Sequence, residues 1–158
     1  MSFFLGAESR AMLRDVHPDL VQVVERAILI TAQDFSVHCG ARTQAAQRRH
    51  VANGTSWTMK SKHLPQADGF AHAVDLVPFI DGVLRWEWPG CYMIAAAMSE
   101  AATTSDVSII WGGVWDRPMS NYAATEAGVR AATADYGARR RTLGKRASID
   151  GPHFELAT

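Results

Sequence analysis

Apolar residues recur three and four positions apart after Pro18, where Leu20, Val23, Val24, Ala27 and Ile28 fall on one helical stripe. Pro18 suits a first helical turn and Asp19 suits the positive end of the helix dipole, so an amphipathic helix is expected from Pro18 to Ala32. A shorter helix is expected before it, from Ser9 to Val16. Phe35 to Cys39 reads as a short strand that Gly40 breaks. Thr43 can cap a helix running to about Ala52, which the Asn53-Gly54 pair ends. Ser61 to Gly69 reads as loop, and Ala71 to Phe79 as a buried strand stopped at Asp81-Gly82. The Ala- and Met-rich run from Gly90 to Thr103 predicts a helix packed closely through small residues. Val107 to Trp111 is strand-like and Gly112-Gly113 ends it. Asn121 to about Leu143 is helix-forming but polar, and His153 to Leu156 completes the chain as a short strand. No internal repeat or linker interrupts this order, so the pattern predicts a single α+β domain.

Composition narrows the class. A chain of 158 residues buries enough surface to hold a core without a disulfide framework. With 47% hydrophobic and 20% charged residues, it is no disordered tail. The 16 basic residues balance the 16 acidic ones, which argues against a general electrostatic nucleic-acid binder. Two cysteines, Cys39 and Cys91, are too few for an all-cysteine zinc site, and two free buried thiols are expected. No stretch reaches the ~20 apolar residues of a membrane span. The N-terminus lacks a basic region followed by a long apolar core, so synthesis and storage in the cytoplasm are expected.

Six histidines offer the candidate chemistry. His17 at a helix start and His50 beside Arg48 and Arg49 read as surface residues, and His38 on its strand as a core histidine. His63, His72 and His153 each have a carboxylate close by in sequence. His63, Asp75 and His153 together make two imidazoles and one carboxylate, a set suited to catalytic zinc with a fourth position left for water. Asp150, three residues before His153, is placed to act as base on that water. Polar loops carrying ordinary turn carboxylates are the alternative account of the same residues.

The order of short motifs favours the first account. Ser61-Lys62-His63 and Ala73-Val74-Asp75 precede Asp150-Gly151-Pro152-His153. Upstream stand Arg42-Thr43 with Gln47, then Gly54-Thr55; Trp111-Gly112-Gly113 and Trp115 come before the last motif. In this order the motifs resemble those of the zinc D-alanyl-D-alanine carboxypeptidase group, and most closely the L-alanyl-D-glutamate endopeptidases of phage lysis. The resemblance runs from about Leu20 to Leu156. It implies a small antiparallel sheet with packed helices in the DD-peptidase/hedgehog-like fold. It also implies one Zn2+ per chain on His63, Asp75 and His153, with Asp150 as catalytic base and Arg42 and Ser61 as substrate contacts. Trp111 and Trp115 either wall the cleft or pack the core.

Two departures stand out. His63 and Asp75 are twelve residues apart where relatives show about seven, so the residues between them must bulge, and His72 competes with His63 as ligand. The stretch 116–148 reads as a helical insertion near the cleft, and Val114 stands where an acidic residue is frequent. Glu155, two residues after His153, is the rival base. The basic run Arg139-Arg140-Arg141 with Lys145 and Arg146 reads as a solvated helix end.

The resulting expectation is a monomeric zinc endopeptidase, an endolysin, that cuts the L-alanyl-D-glutamate bond of peptidoglycan stem peptides. It would have no separate cell-wall-binding domain, no nucleic-acid partner and no membrane insertion. It would be made in the host cytoplasm and act in the periplasm after release by a holin-type partner. A D-Ala-D-Ala carboxypeptidase or dipeptidase on the same scaffold, and a non-catalytic zinc-stabilised binding module, are the alternatives.

Overall fold

A computed structural model describes residues 2–157. Helices α1 (Ala7–Met12) and α2 (Pro18–Ile30) lead into strand β1 (Phe35–Cys39) and helix α3 (Gln44–Ala52). After a long loop come β2 (Ala73–Ile80), β3 (Val83–Leu84), α4 (Trp88–Ser105) and β4 (Ile109–Trp111). A 3-10 turn (Met119–Asn121), α5 (Glu126–Thr142) and β5 (His153–Leu156) follow. The sheet runs β1-β2-β5-β4, with β3 paired on β2, and every strand pairing is antiparallel.

The expected stripe on α2 is the buried one: Leu20, Val23, Val24, Ala27 and Ile28 all face the core. Opposite it, α4 packs against α2, α5 and the sheet, and its small residues allow close approach. A Cβ on Gly90 would lie 2.7 Å from Pro78 Cγ, so the helix meets β2 there only as glycine. Trp111 and Phe154, both wholly buried, stack across β4 and β5 with ring centroids 6.4 Å apart.

Several boundaries move for identifiable reasons. The first helix ends early, at Met12, and Asp15 then turns the chain at φ 62°. Asp81 and Gly82, at φ 51° and 78°, form a two-residue turn that folds β3 back on β2, a hairpin the sequence pattern did not suggest. The polar helix starts at Glu126 rather than Asn121, because Thr125 caps it by accepting the Gly128 amide at 3.0 Å. Segment 116–148 thus holds a 3-10 turn, an extended stretch and α5. Its two ends meet where Trp115 Nε1 donates to the Ser148 carbonyl at 2.8 Å.

Candidate metal centre

The pairing of β2 with β5 sets Asp75 directly across from His153. His63 comes from the loop before β2. Its position is fixed at both ends: the Arg42 amide donates to the His63 carbonyl at 2.7 Å, and Ser61 Oγ accepts the His63 amide at 3.1 Å. The side chains converge on one atom. Asp75 Oδ1 lies 3.3 Å from His63 Nε2 and 3.3 Å from His153 Nδ1, and the two rings sit edge to face at 5.2 Å.

The far nitrogens are also engaged. His63 Nδ1 donates to the Gly40 carbonyl at 2.8 Å, which fixes the tautomer and turns the Nε2 lone pair inward. His153 Nε2 lies 2.8 Å from Glu155 Oε2, which holds that ring with Nδ1 toward Asp75. Glu155, read from sequence as a rival base, thus meets the His153 nitrogen that points away from Asp75. Along β5 the two residues project to one face, so the contact follows from strand geometry.

Asp75 Oδ1 is buried and has no hydrogen-bond partner of acceptable geometry. Two overlapping sets of donor atoms, each within 4.8 Å, share this residue: Cys39, His63 and Asp75, and Asp75, Asp150 and His153. A buried carboxylate oxygen without a partner, facing two imidazole nitrogens, fits a divalent cation of the zinc type. Burial alone would lower the imidazole pKa values, but Asp75 with Cys39 raises His63 to about 10, and Asp75 with Glu155 raises His153 to about 9. Burial opposes ionisation of Asp75 too, yet the two imidazoles 3.3 Å from Oδ1 hold its carboxyl well below the usual range.

Asp150 arrives on a turn built from backbone contacts. The Asp150 amide donates to the Gly112 carbonyl at 2.9 Å, the Gly112 amide to the His153 carbonyl at 2.8 Å, and Trp111 Nε1 to the Gly151 carbonyl at 2.7 Å. The Trp-Gly-Gly sequence is thereby explained, since a Cβ on Gly112 would collide with the Asp150 carbonyl oxygen. The Asp150 side chain reaches the cleft, where desolvation and the charge of Asp75 raise its pKa.

The cleft around this cluster has a volume of about 1000 Å³. Arg42 lines it, its guanidinium donating to Gln47 Oε1 at 2.6 Å and to Cys39 Sγ at 3.3 Å. Trp115 lies across His153 with ring centroids 5.0 Å apart, so of the two tryptophans Trp115 faces the cleft and Trp111 packs the core. Of the basic run, Arg139 pairs with Asp116 through two contacts of 2.8 Å, and Arg140 borders the cleft.

Two sequence expectations change, those for His38 and Cys39, while the competing ligand His72 lies apart from the preferred His63. His72 points away from the cluster: three residues before Asp75 on an extended segment, it projects to the opposite side. There its Nε2 lies 2.7 Å from Asp68 Oδ2, beside His17, which caps α2 by accepting the Asp19 amide. His38 is exposed rather than a core residue, because the alternation along β1 buries Phe35 and Val37 and turns His38 out against Trp86. Cys91 is buried as expected, but Cys39 is only half-buried and borders the cleft; both thiols are free. The proximity of Cys39 to His63 escaped the sequence reading.

Comparison with known proteins now adds to the geometry. Residues 1–134 match the family model described as phage L-alanyl-D-glutamate peptidase. The chain belongs to the phage L-alanyl-D-glutamate peptidase family. A relative from Escherichia phage T5, an L-alanyl-D-glutamate peptidase, is 29% identical over 160 residues, covering 99% of each chain. The crystal structure of Serratia marcescens L-Ala D-Glu endopeptidase ChiX superposes with a TM-score of 0.70 at 33% identity, over 98% of this chain and 90% of that one. The family match stops before Asp150 and His153, whereas both of these relatives are aligned over nearly the whole chain.

Proposed function

We propose that this protein is a zinc-dependent peptidoglycan endopeptidase that hydrolyses the L-alanyl-D-glutamate bond of stem peptides. The observation that carries the reading is the buried, unpartnered Asp75 Oδ1 facing His63 Nε2 and His153 Nδ1, with Asp150 alongside. Membership in a family of L-alanyl-D-glutamate peptidases supports the choice of bond.

His63, Asp75 and His153 would hold one zinc ion, which when bound supplies a Lewis acid that acidifies water and polarises a carbonyl. Asp150 is the general base. Its carboxylate takes the proton of the attacking water and returns a proton to the departing amine of D-glutamate. The raised Asp150 pKa brings proton acceptance and proton return closer in energy. Arg42, positioned by Gln47 and Cys39, offers its remaining N–H donors to an anion in the cleft, either a stem-peptide carboxylate or the developing oxyanion. Ser61 fixes the His63 backbone and borders the same cleft, where its hydroxyl is available to the peptide. Trp115 covers one face of His153 and limits water there. The chain acts as one catalytic domain, with segment 116–148 forming part of the cleft wall through Tyr136 and Arg140.

Among the described residues no helix is long and apolar enough to cross a membrane. Access to the periplasmic wall would then come through a lesion made by a holin-type partner. Mass spectrometry of purified peptidoglycan after digestion tests the reading. New free amines on D-glutamate, with the muramyl-L-alanine linkage intact, are expected. Release of free D-alanine instead would move the assignment to a carboxypeptidase.

A further inference from the structure

We propose that Cys39 is a fourth protein ligand of the metal in the substrate-free enzyme, so that the resting centre is closed by sulfur and opens when substrate enters. This rests on the reading of the cluster as a metal site. It concerns a residue that the proposed mechanism uses only to hold Arg42.

The geometry comes from the turn after β1. Cys39 ends that strand, and the register between β1 and β2 shifts just before it, which pairs Cys39 with Asp75 itself. A thiol that belongs to an edge strand is thereby carried to the buried end of the cleft. Its Sγ lies within 4.8 Å of a ring nitrogen of His63 and of a carboxylate oxygen of Asp75. Those two groups are ready for a cation. The Gly40 carbonyl holds His63 in the tautomer whose Nε2 lone pair points inward, and Asp75 Oδ1 is buried without a hydrogen-bond partner.

The charge arrangement fits as well. Coordination breaks the S–H bond, sends the proton to solvent and leaves both electrons on sulfur, with no change of oxidation state. The negative sulfur then has Arg42 Nη2 donating to it from 3.3 Å. Asp75 and Cys39 together balance the two charges of the cation, which leaves the resting centre neutral. A soft thiolate also favours zinc-type cations over magnesium or calcium. The same guanidinium that supports sulfur is the group proposed to meet the substrate's anion. Recruiting Arg42 to substrate withdraws support from the thiolate and frees the coordination position, so substrate entry and opening of the centre become one event.

Cobalt replacement reads this directly. Metal-free protein, loaded with one equivalent of Co2+, should show the near-ultraviolet sulfur-to-cobalt charge-transfer band alongside the visible ligand-field bands. Cys39→Ser should lose the charge-transfer band, keep the ligand-field bands and bind the metal more weakly. Cys91→Ala, which removes the other thiol, should keep both. Ligand-field bands without a charge-transfer band in the wild-type protein would overturn the proposal and leave the metal centre standing. A charge-transfer band that survives Cys39→Ser would also overturn it. Failure of the wild-type protein to bind Co2+ at all would overturn the metal reading itself, and the sulfur ligand with it.

Discussion

At the scale of single residues, the centre separates two carboxylates that lie five positions apart in sequence. Asp150 faces the cleft with its pKa raised, whereas Glu155 is held 2.8 Å from His153 Nε2. Asp150→Asn should therefore lower the hydrolysis rate by about 100- to 10,000-fold, the usual worth of a general base. Metal content, measured by elemental analysis, should stay at the wild-type level. Glu155→Ala should act on the other quantity. Loss of an outer partner to a ligating histidine weakens metal affinity by roughly 10- to 100-fold. Glu155→Gln should recover part of that affinity, because its carbonyl oxygen still accepts from Nε2. Competition with a chelator, with hydrolysis assayed at saturating zinc, separates the two effects.

At the scale of elements, the chain positions its chemistry through backbone contacts more than through side-chain pairs. The turn carrying Asp150 hangs on Gly112, and a methyl group there would run into the Asp150 carbonyl oxygen. Gly112→Ala should displace the turn, lower the melting temperature and reduce hydrolysis together. In Gly144→Ala, where nothing lies within 4 Å of the added carbon, only the positive φ of 66° is strained. That variant should lose stability but keep its hydrolysis rate, as paired melting and digestion assays would show.

Much at this level was legible in the sequence. The α2 stripe, the cap at Thr43 and the strand ends around Asp75 and His153 follow from periodicity and turn chemistry, which are local. The motif Ser61-Lys62-His63 already favoured His63 over His72, and the pleat, which sends residues three apart to opposite sides, gives the physical reason that His72 lies apart from Asp75. The place of Cys39 needed the β1–β2 register, a pairing between positions 36 residues apart that no local pattern encodes.

At the scale of the whole molecule, segment 116–148 is tied down by ionic and main-chain contacts as well as by packing. Asp116 accepts two hydrogen bonds from Arg139 at the C-terminal end of α5, and that contact lowers its pKa below the ordinary carboxylate value. A carboxylate with a depressed folded-state pKa stabilises the fold above its unfolded value, near 3.8, and that contribution is lost as pH falls through the folded value. Asp116→Asn should therefore be less stable than wild type at pH 6, and the difference should close as the pH drops below about 4. Both partners reach solvent, so the effect should be small and should shrink with added salt. Melting curves across that pH range, with and without salt, check both statements.

The loop between His63 and Asp75 has a consequence of another kind. Its two ends are joined across their base: the His72 amide donates to the Lys62 carbonyl at 2.8 Å, and Pro65 bridges to Ala71. Everything between is a self-closed excursion, turning through Gln66 and Gly69. Since doubling a loop adds only about 0.6 kcal/mol of closure entropy, the number of residues spent there is nearly free to drift. A search template that demands a set interval between the first histidine and the aspartate would pass this chain by. One that asks for an aspartate facing a histidine across two antiparallel strands, whatever lies between, would find it. The invariant belongs to the sheet, and the count of residues is only the route the chain takes to reach it.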